Sequence, residues 1–343
     1  MSIMKIKIRW AGMFFLLWAM LLACCVRFAP AAEVVDPYEQ VKRMGRGMNI
    51  LGYDPIWKSF EKSRFKEQHF KLIRDGGFQT VRMNLHALQL LKANNDYRLG
   101  DDWLKTLDWA VKNALANNLI VILDLHNYTD IAKDPMGFKP RFLAYWKQIA
   151  ARFRDAPNTV LFEVLNEPNG KLTPKLWNEF LGEAMGIIRA SNPVRTVVIG
   201  PPSWNGIGHL QELTLPEDDR NIIVTVHYYE PMEFTHQGAP WEKETAHLSG
   251  VQWGSEEEKR KVDSDFGGVQ KWSLEHHRPI LLGEFGAYEK GPMDSRARYI
   301  AYVARVAESQ GWAWTYWQFD DDFIAFDIEK AHWVEPIRKA LIP

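Results

Sequence analysis

Beyond about residue 32 the chain repeats one pattern, a short apolar run followed by a longer segment whose apolar positions fall at helical spacing. Runs of the first kind lie at Arg46–Gly52, Thr80–Leu85, Ile120–Leu125, Thr159–Asn169, Arg195–Gly200, Ile222–Val226, Pro279–Gly283 and Trp312–Trp317, and predict eight strands. Helices are predicted over Arg64–Gly77, Asp101–Asn118, Arg141–Arg154, Lys175–Ala190, about Ser255–His277, Ser295–Gln310 and, closing the chain, His332–Leu341. The first should bury Phe65, Phe70, Leu72 and Ile73 and stop at Gly76-Gly77. A long polar insertion, Met232–Gly254, interrupts the rhythm after the sixth strand. Eight β/α units in succession predict a single α/β domain over residues 32–343, a (β/α)8 barrel; a doubly wound sheet with fewer strands is the alternative.

Such a barrel carries its chemistry at the C-terminal ends of its strands. The strand ends hold Asn49, Arg82 with Asn84, His126 with Asn127, Asn166 with Glu167, Trp204 with Asn205, His227 with Tyr229, Glu284, and Trp317 with Gln318. The starts hold Thr80, Ile120, Val160, Ile222, Pro279 and Trp312, which carry no such chemistry. In the fourth run the apolar stretch breaks into Asn166-Glu167-Pro168. Proline lacks an N–H and biases its predecessor away from helix, so the strand should end with Glu167 at its tip.

Composition narrows the function classes. A net charge of −1 offers no basic footprint for nucleic acid. Of 15 tryptophans only Trp10 and Trp18 precede the folded part, and the rest suit both a core and sugar-ring platforms. Residues 1–31 combine Lys5, Lys7 and Arg9, the apolar run Trp10–Val26, and the small-residue pattern Ala29-Pro30-Ala31. They predict a secretory signal peptide cut after Ala31. Two alternatives share this stretch: Leu21-Leu22-Ala23-Cys24 resembles a bacterial lipobox that would acylate Cys24, and an apolar run at the lower limit of about 17 residues could stay as an anchor. Under each reading the folded part lies outside the cytoplasmic membrane, secreted or held in the cell envelope. Cys24 and Cys25 are the only cysteines, so the body, expected to be a monomer, has no disulfide.

Glu167 and Glu284 end strands on opposite sides of the expected barrel. Retaining glycosidases use two carboxyls about 5–5.5 Å apart, one as acid/base and one as nucleophile. No HExxH, GxGxxG, P-loop or GxSxG pattern is present, and no metal or cofactor is expected. Asn127-Tyr128-Thr129 matches the glycosylation pattern, but a glycan there would block the cleft.

Asn166-Glu167-Pro168, His227-Tyr228-Tyr229, Glu284-Phe285-Gly286 and Tyr316-Trp317, in this order on strands four, six, seven and eight, resemble glycoside hydrolase family 5, the cellulase-like retaining barrels. Residues 227–241, HYYEPMEFTHQGAPW, are similar to its bacterial endoglucanase and mannanase-type members. The resemblance implies Glu167 as acid/base and Glu284 as nucleophile, with Arg82 and Tyr229 keeping Glu284 ionised. It puts Asn166 on the sugar 2-OH, His126 and His227 on hydroxyls or on the acid, and Trp317 under the sugar at the cleavage point. Asn49, Trp204, Asn205 and Trp241 would line the cleft. The acid must hold its proton, which burial and the charge of Glu284 should favour. Two departures stand out: Asn127 where many relatives carry a second histidine, and the acidic loop Asp320-Asp321-Asp322.

The expected function is therefore retaining hydrolysis of internal β-1,4 bonds in a β-glucan, with a polysaccharide or oligosaccharide as the only partner. A β-mannanase, or an enzyme acting on both polymers, is the alternative within the class. A non-catalytic carbohydrate-binding envelope protein or a structural envelope lipoprotein is the alternative outside it. Neither of those needs both Glu167 and Glu284.

Overall fold

The computed structural model describes residues 34–343; the expected leader, with its lipobox and both cysteines, lies outside the described residues. Strands β1 (Arg46–Ile50), β2 (Thr80–Leu85), β3 (Ile120–Leu125), β4 (Val160–Glu163), β5 (Val197–Ile199), β6 (Ile222–Tyr228), β7 (Ile280–Phe285) and β8 (Ala313–Tyr316) pair in sequence order. β8 pairs in parallel with β1 and closes the barrel, so the fold is the (β/α)8 barrel and not the doubly wound sheet.

Alternation along the strands sorts side chains into two layers. Ile120, Ile122, Leu161, Val198, Ile223, Leu281 and Ala313 pack inside the barrel, joined by Val41 and Met44. The intervening Val121, Leu123, Val160 and Phe162 belong to the larger core against the helices. Val41 and Met44 come from a helix that the pattern does not predict, α1 (Pro37–Met44). Asp36 caps it by accepting from the Tyr38 and Glu39 amides, Pro37 opens it, and its buried face closes the end of the barrel opposite the cleft. Above the apolar layer the same inward positions become polar: Asn49, Arg82, Asp124, Glu163, Thr225 and Thr315, all buried.

Several boundaries differ from the sequence expectation. β4 ends at Glu163, not at Glu167. Val164 and Asn166 still bond to Val198 and Leu125 across the neighbouring strands, and Glu167 then turns into left-handed backbone at φ 46°. The helix expected from Arg64 begins at Glu67, because the Asp54 carboxylate takes the Arg64 and Phe65 amides at 3.1 and 2.8 Å into a turn of its own. It stops as expected, with Gly77 at φ 99°. The closing helix begins only at Glu335, since His332–Trp333 pairs antiparallel with Phe326–Asp327. In the insertion, the Gln237 side chain bonds twice to Val251, and Ser255 with Glu258 forms a capping box that starts the helix Glu256–His276. No helix among the described residues is long and apolar enough to cross a membrane.

Candidate active site

A carboxylate oxygen of Glu167, one of Glu284 and a ring nitrogen of His227 lie within 4.8 Å of one another. His227 Nδ1 is 2.8 Å from Glu167 Oε1 and 3.6 Å from Glu284 Oε2. His227 stands directly opposite Glu284 in the β6–β7 register, just after a register shift at Val226/His227 that re-aims its ring. Its Nε2 contacts Asn205 Nδ2 at 3.2 Å. Asn205 arrives there through three successive left-handed residues, Ser203, Trp204 and Asn205, at φ 58°, 66° and 54°. Such a run is costly for L-residues and persists only where the surroundings hold it. Here the Trp204 amide donates to Pro168 O at 3.2 Å, beside Glu167, and Gly200 leaves the space that the Asn205 amide fills. The turn buries Asn205 and leaves Trp204 54% exposed.

Arg82 organises the floor. It is fully buried, and its guanidinium donates to both oxygens of Glu163 (2.7 and 2.7 Å), to Glu284 Oε1 (2.7 Å), to Asn166 Oδ1 (2.7 Å) and to Asn49 Oδ1 (2.8 Å). These bonds use all five of its N–H groups, and Asp124 adds a further charge at 3.2 Å. Tyr229 donates to the other oxygen of Glu284 at 3.0 Å. Among the described residues Asn166 Nδ2 meets no partner at full hydrogen-bond geometry, and the Asn166 side chain lies close enough to Glu167 to lower the pKa of that carboxyl. On the opposite wall His126 Nδ1 meets Asp124 at 2.6 Å, and its ring lies flat on Trp317, centroids 5.4 Å apart and planes 7° from parallel. Tyr53 stands edge-on to Trp317, Trp204 to Tyr128, and Trp241 to Tyr288.

Burial dominates the electrostatics. It pushes Glu167 up to about 8, with Arg82 opposing and Asp124 and Glu163 adding to the rise. It also pushes Glu284 up to about 7, with His227 and Arg82 opposing and Glu167 adding. Arg82 and Tyr229 are thus placed on Glu284 as expected, but desolvation outweighs them. The two carboxyls titrate as one coupled pair in which Glu167 keeps the proton longer. Burial lowers His126 and His227, which leaves Arg82 as the fixed cation among them. Glu167, His227 and Glu284 are also the residues, among those described, whose spacing could hold a metal ion. Between about pH 7 and about pH 8 the pair combines a protonated Glu167 with an ionised Glu284, the combination that a retaining displacement uses.

Arg82, His126, Asn166, His227, Tyr229 and Trp317 therefore converge with Glu167 and Glu284. Asn49 and Asn205 do not line the cleft: both are fully buried, the first bonded to Arg82 and the Gly283 carbonyl, the second to His227. Trp204 and Trp241 lie at the surface, about half exposed. Sequence reasoning passed over Asp124 and Glu163. The signal was there, because a carboxylate inside an apolar buried strand must find a charge partner. It also passed over Tyr53, and over His86, whose ring is 5.5 Å from that of His126 and whose Nε2 has no partner among the described residues. Asn127 is buried and accepts from the Ala87 and Leu88 amides, a structural role in place of a glycan site. In the acidic loop Asp320 pairs with Arg64 at 2.7 Å, and Asp322 accepts from Gln318 and the Phe323 amide.

Comparison with known proteins places the chain in a family. Endoglucanase H of Acetivibrio thermocellus is 31% identical over 287 residues, 83% of this chain, which spans only 30% of that longer protein. The endoglucanase Cel5A of Thermotoga maritima superposes with a TM-score of 0.85 at 38% identity, covering 90% of this chain and all of that one. It has been solved with cellobiose and with mannotriose. The cellulose synthase subunit Z of Clostridioides difficile superposes at 0.82 with 36% identity, covering 88% of this chain and all of that one. The model of the cellulase family, glycosyl hydrolase family 5, matches residues 41–323. With that match across most of the barrel, this chain belongs to glycosyl hydrolase family 5.

Proposed function

We propose that this protein is a retaining endo-β-1,4-glucanase. The observation that carries the reading is the Glu167–Glu284 pair, with oxygens within 4.8 Å, a histidine bonded to Glu167 and 3.6 Å from Glu284, and an arginine and a tyrosine on Glu284. Glu167 protonates the glycosidic oxygen while Glu284 attacks the anomeric carbon and forms a glycosyl-enzyme. Water then attacks that bond, giving its proton to Glu167 and releasing Glu284. Asn166 Nδ2, which meets no partner at full hydrogen-bond geometry among the described residues, is the donor for the 2-OH, whose hydrogen bond strengthens in the oxocarbenium-like transition state. Trp317 supplies the floor, and Tyr53, Trp204 and Trp241 supply exposed aromatic faces for neighbouring sugars.

A second reading, hydrolysis of mannan as well as glucan, is supported by the mannotriose complex of Cel5A. Carboxymethyl-cellulose, barley β-glucan, xyloglucan, glucomannan and galactomannan, followed by reducing-end release, separate the two. Wild type should cut the β-glucans while Glu284→Gln binds cello-oligosaccharide without cutting it. No cleavage by wild type, or near-normal turnover by the variant, would sink the assignment. NMR of the first product should show the β anomer. We also propose export from the cytoplasm, supported by the basic and apolar leader; cell fractionation of wild type and Cys24→Ala tests it and separates a lipid anchor from a cleaved signal.

A further inference from the structure

Glu163 lies four residues before Glu167, inside the barrel, fully buried, opposite Asp124 in the β3–β4 register. Both its oxygens are taken by the Nε and Nη2 edge of Arg82, the two-point geometry that fixes a guanidinium plane. With that edge held, the remaining N–H groups of Arg82 aim at Glu284 Oε1, Asn166 Oδ1 and Asn49 Oδ1. We infer that Glu163 is a positioning residue for both halves of the reaction, clamping Arg82 so that the nucleophile and the 2-OH donor are aimed, and setting its Arg82-paired carboxylate four residues before the acid. The inference rests on the assignment of Glu284 as nucleophile and Glu167 as acid.

The second role follows from the charges around Glu167. Arg82 faces it from β2, Asp124 from β3, His227 from β6 and Tyr229 just after it, Glu284 from β7, Tyr53 from the loop after β1 and Tyr128 from the start of the helix Tyr128–Lys133. Arg82 draws the Glu167 proton off, while Asp124 and Glu163 oppose it. Arg82 without Glu163 would bias Glu167 toward ionisation, so the clamp supplies both the orientation of the cation and the charge that offsets it.

The test uses the whole exported chain with barley β-glucan. Glu163→Gln keeps the size but loses the charge and one acceptor. It should lower kcat by about 100-fold, the usual effect of a misplaced reacting group, with little change in KM. It should also move the alkaline limb of kcat/KM to lower pH, a shift that a merely structural role would not produce. Glu163→Asp keeps the charge but withdraws the fork, so kcat should fall with the limb in place. Wild-type kcat in either folded variant, or an unshifted limb in Glu163→Gln, overturns the inference. If Glu163→Gln does not fold by circular dichroism, the kcat of Glu163→Asp decides alone. An inactive wild type instead overturns the underlying assignment, and this inference with it.

Discussion

His227 Nδ1 sits 2.8 Å from Glu167 Oε1 while its Nε2 rests 3.2 Å from Asn205 Nδ2. With Asn205 donating to Nε2, the ring proton is on Nδ1 and goes to Oε1, which leaves Oε2 free to carry the proton that catalysis delivers. Asn205→Ala removes this support and leaves a buried nitrogen unpaired, a cost of about 1–2 kcal/mol. Turnover of β-glucan should fall about 10-fold, since 1.4 kcal/mol is a factor of ten. An activated aryl cellobioside, whose leaving group needs little acid help, should be cut at nearly the wild-type rate; equal losses on both substrates would remove the role.

Glu167→Ala extends that contrast. Hydrolysis of polymer should drop by about 10²–10⁴-fold, the usual contribution of general acid catalysis. Glycosylation by the activated aryl substrate should survive. Burst kinetics with that substrate reads the two steps separately, and an equal loss on both substrates would assign the acid elsewhere.

In the proposed mechanism the active state has Glu284 ionised and Glu167 protonated. Activity is lost as pH falls through the Glu284 value, about 7, and again as pH rises through the Glu167 value, about 8. The kcat/KM profile should therefore be a narrow bell whose two limbs belong to the coupled pair. A flat profile across that range would contradict the assignment.

Stability should carry the same signature with a definite sign. Glu167 binds its proton more tightly folded than unfolded, so its contribution to stability is fully present below the ordinary value of 4.5 and is lost as pH rises through about 8. Glu167→Gln has no such loss. Each pKa unit is worth about 1.4 kcal/mol, and coupling to Glu284 reduces the total, so the variant should be more stable than wild type by about 2 kcal/mol at pH 8. Denaturant titrations at pH 4.5 and pH 8 check this: the gap should nearly close at the lower pH.

Trp317 is 5% exposed and stacks on His126, so it is both part of the packing and the proposed floor. Trp317→Ala should cost about 3–5 kcal/mol of stability and most of the activity. Trp317→Phe should restore much of the melting temperature but only part of the affinity for cello-oligosaccharide, a split that calorimetry and thermal melts can resolve.

The local pattern of this chain determined what depends on neighbours in sequence. Eight apolar runs specified the strands, and Pro168 and the strand-end polar residues marked the mouth where Glu167 and Glu284 stand. Periodicity reports which face of an element is buried, and barrel closure then brings all the strand ends together. Tertiary structure alone decided what depends on distant partners. It made Asn49 and Asn205 supports in place of cleft walls, because the guanidinium of Arg82 and the ring of His227 occupy the space above them. It turned Glu163 and Asp124, two carboxylates hidden in apolar strands, into the counter-charges of Arg82. It also raised Glu284 despite two favourable partners, because desolvation depends on how completely the folded barrel excludes water, and no stretch of sequence records that.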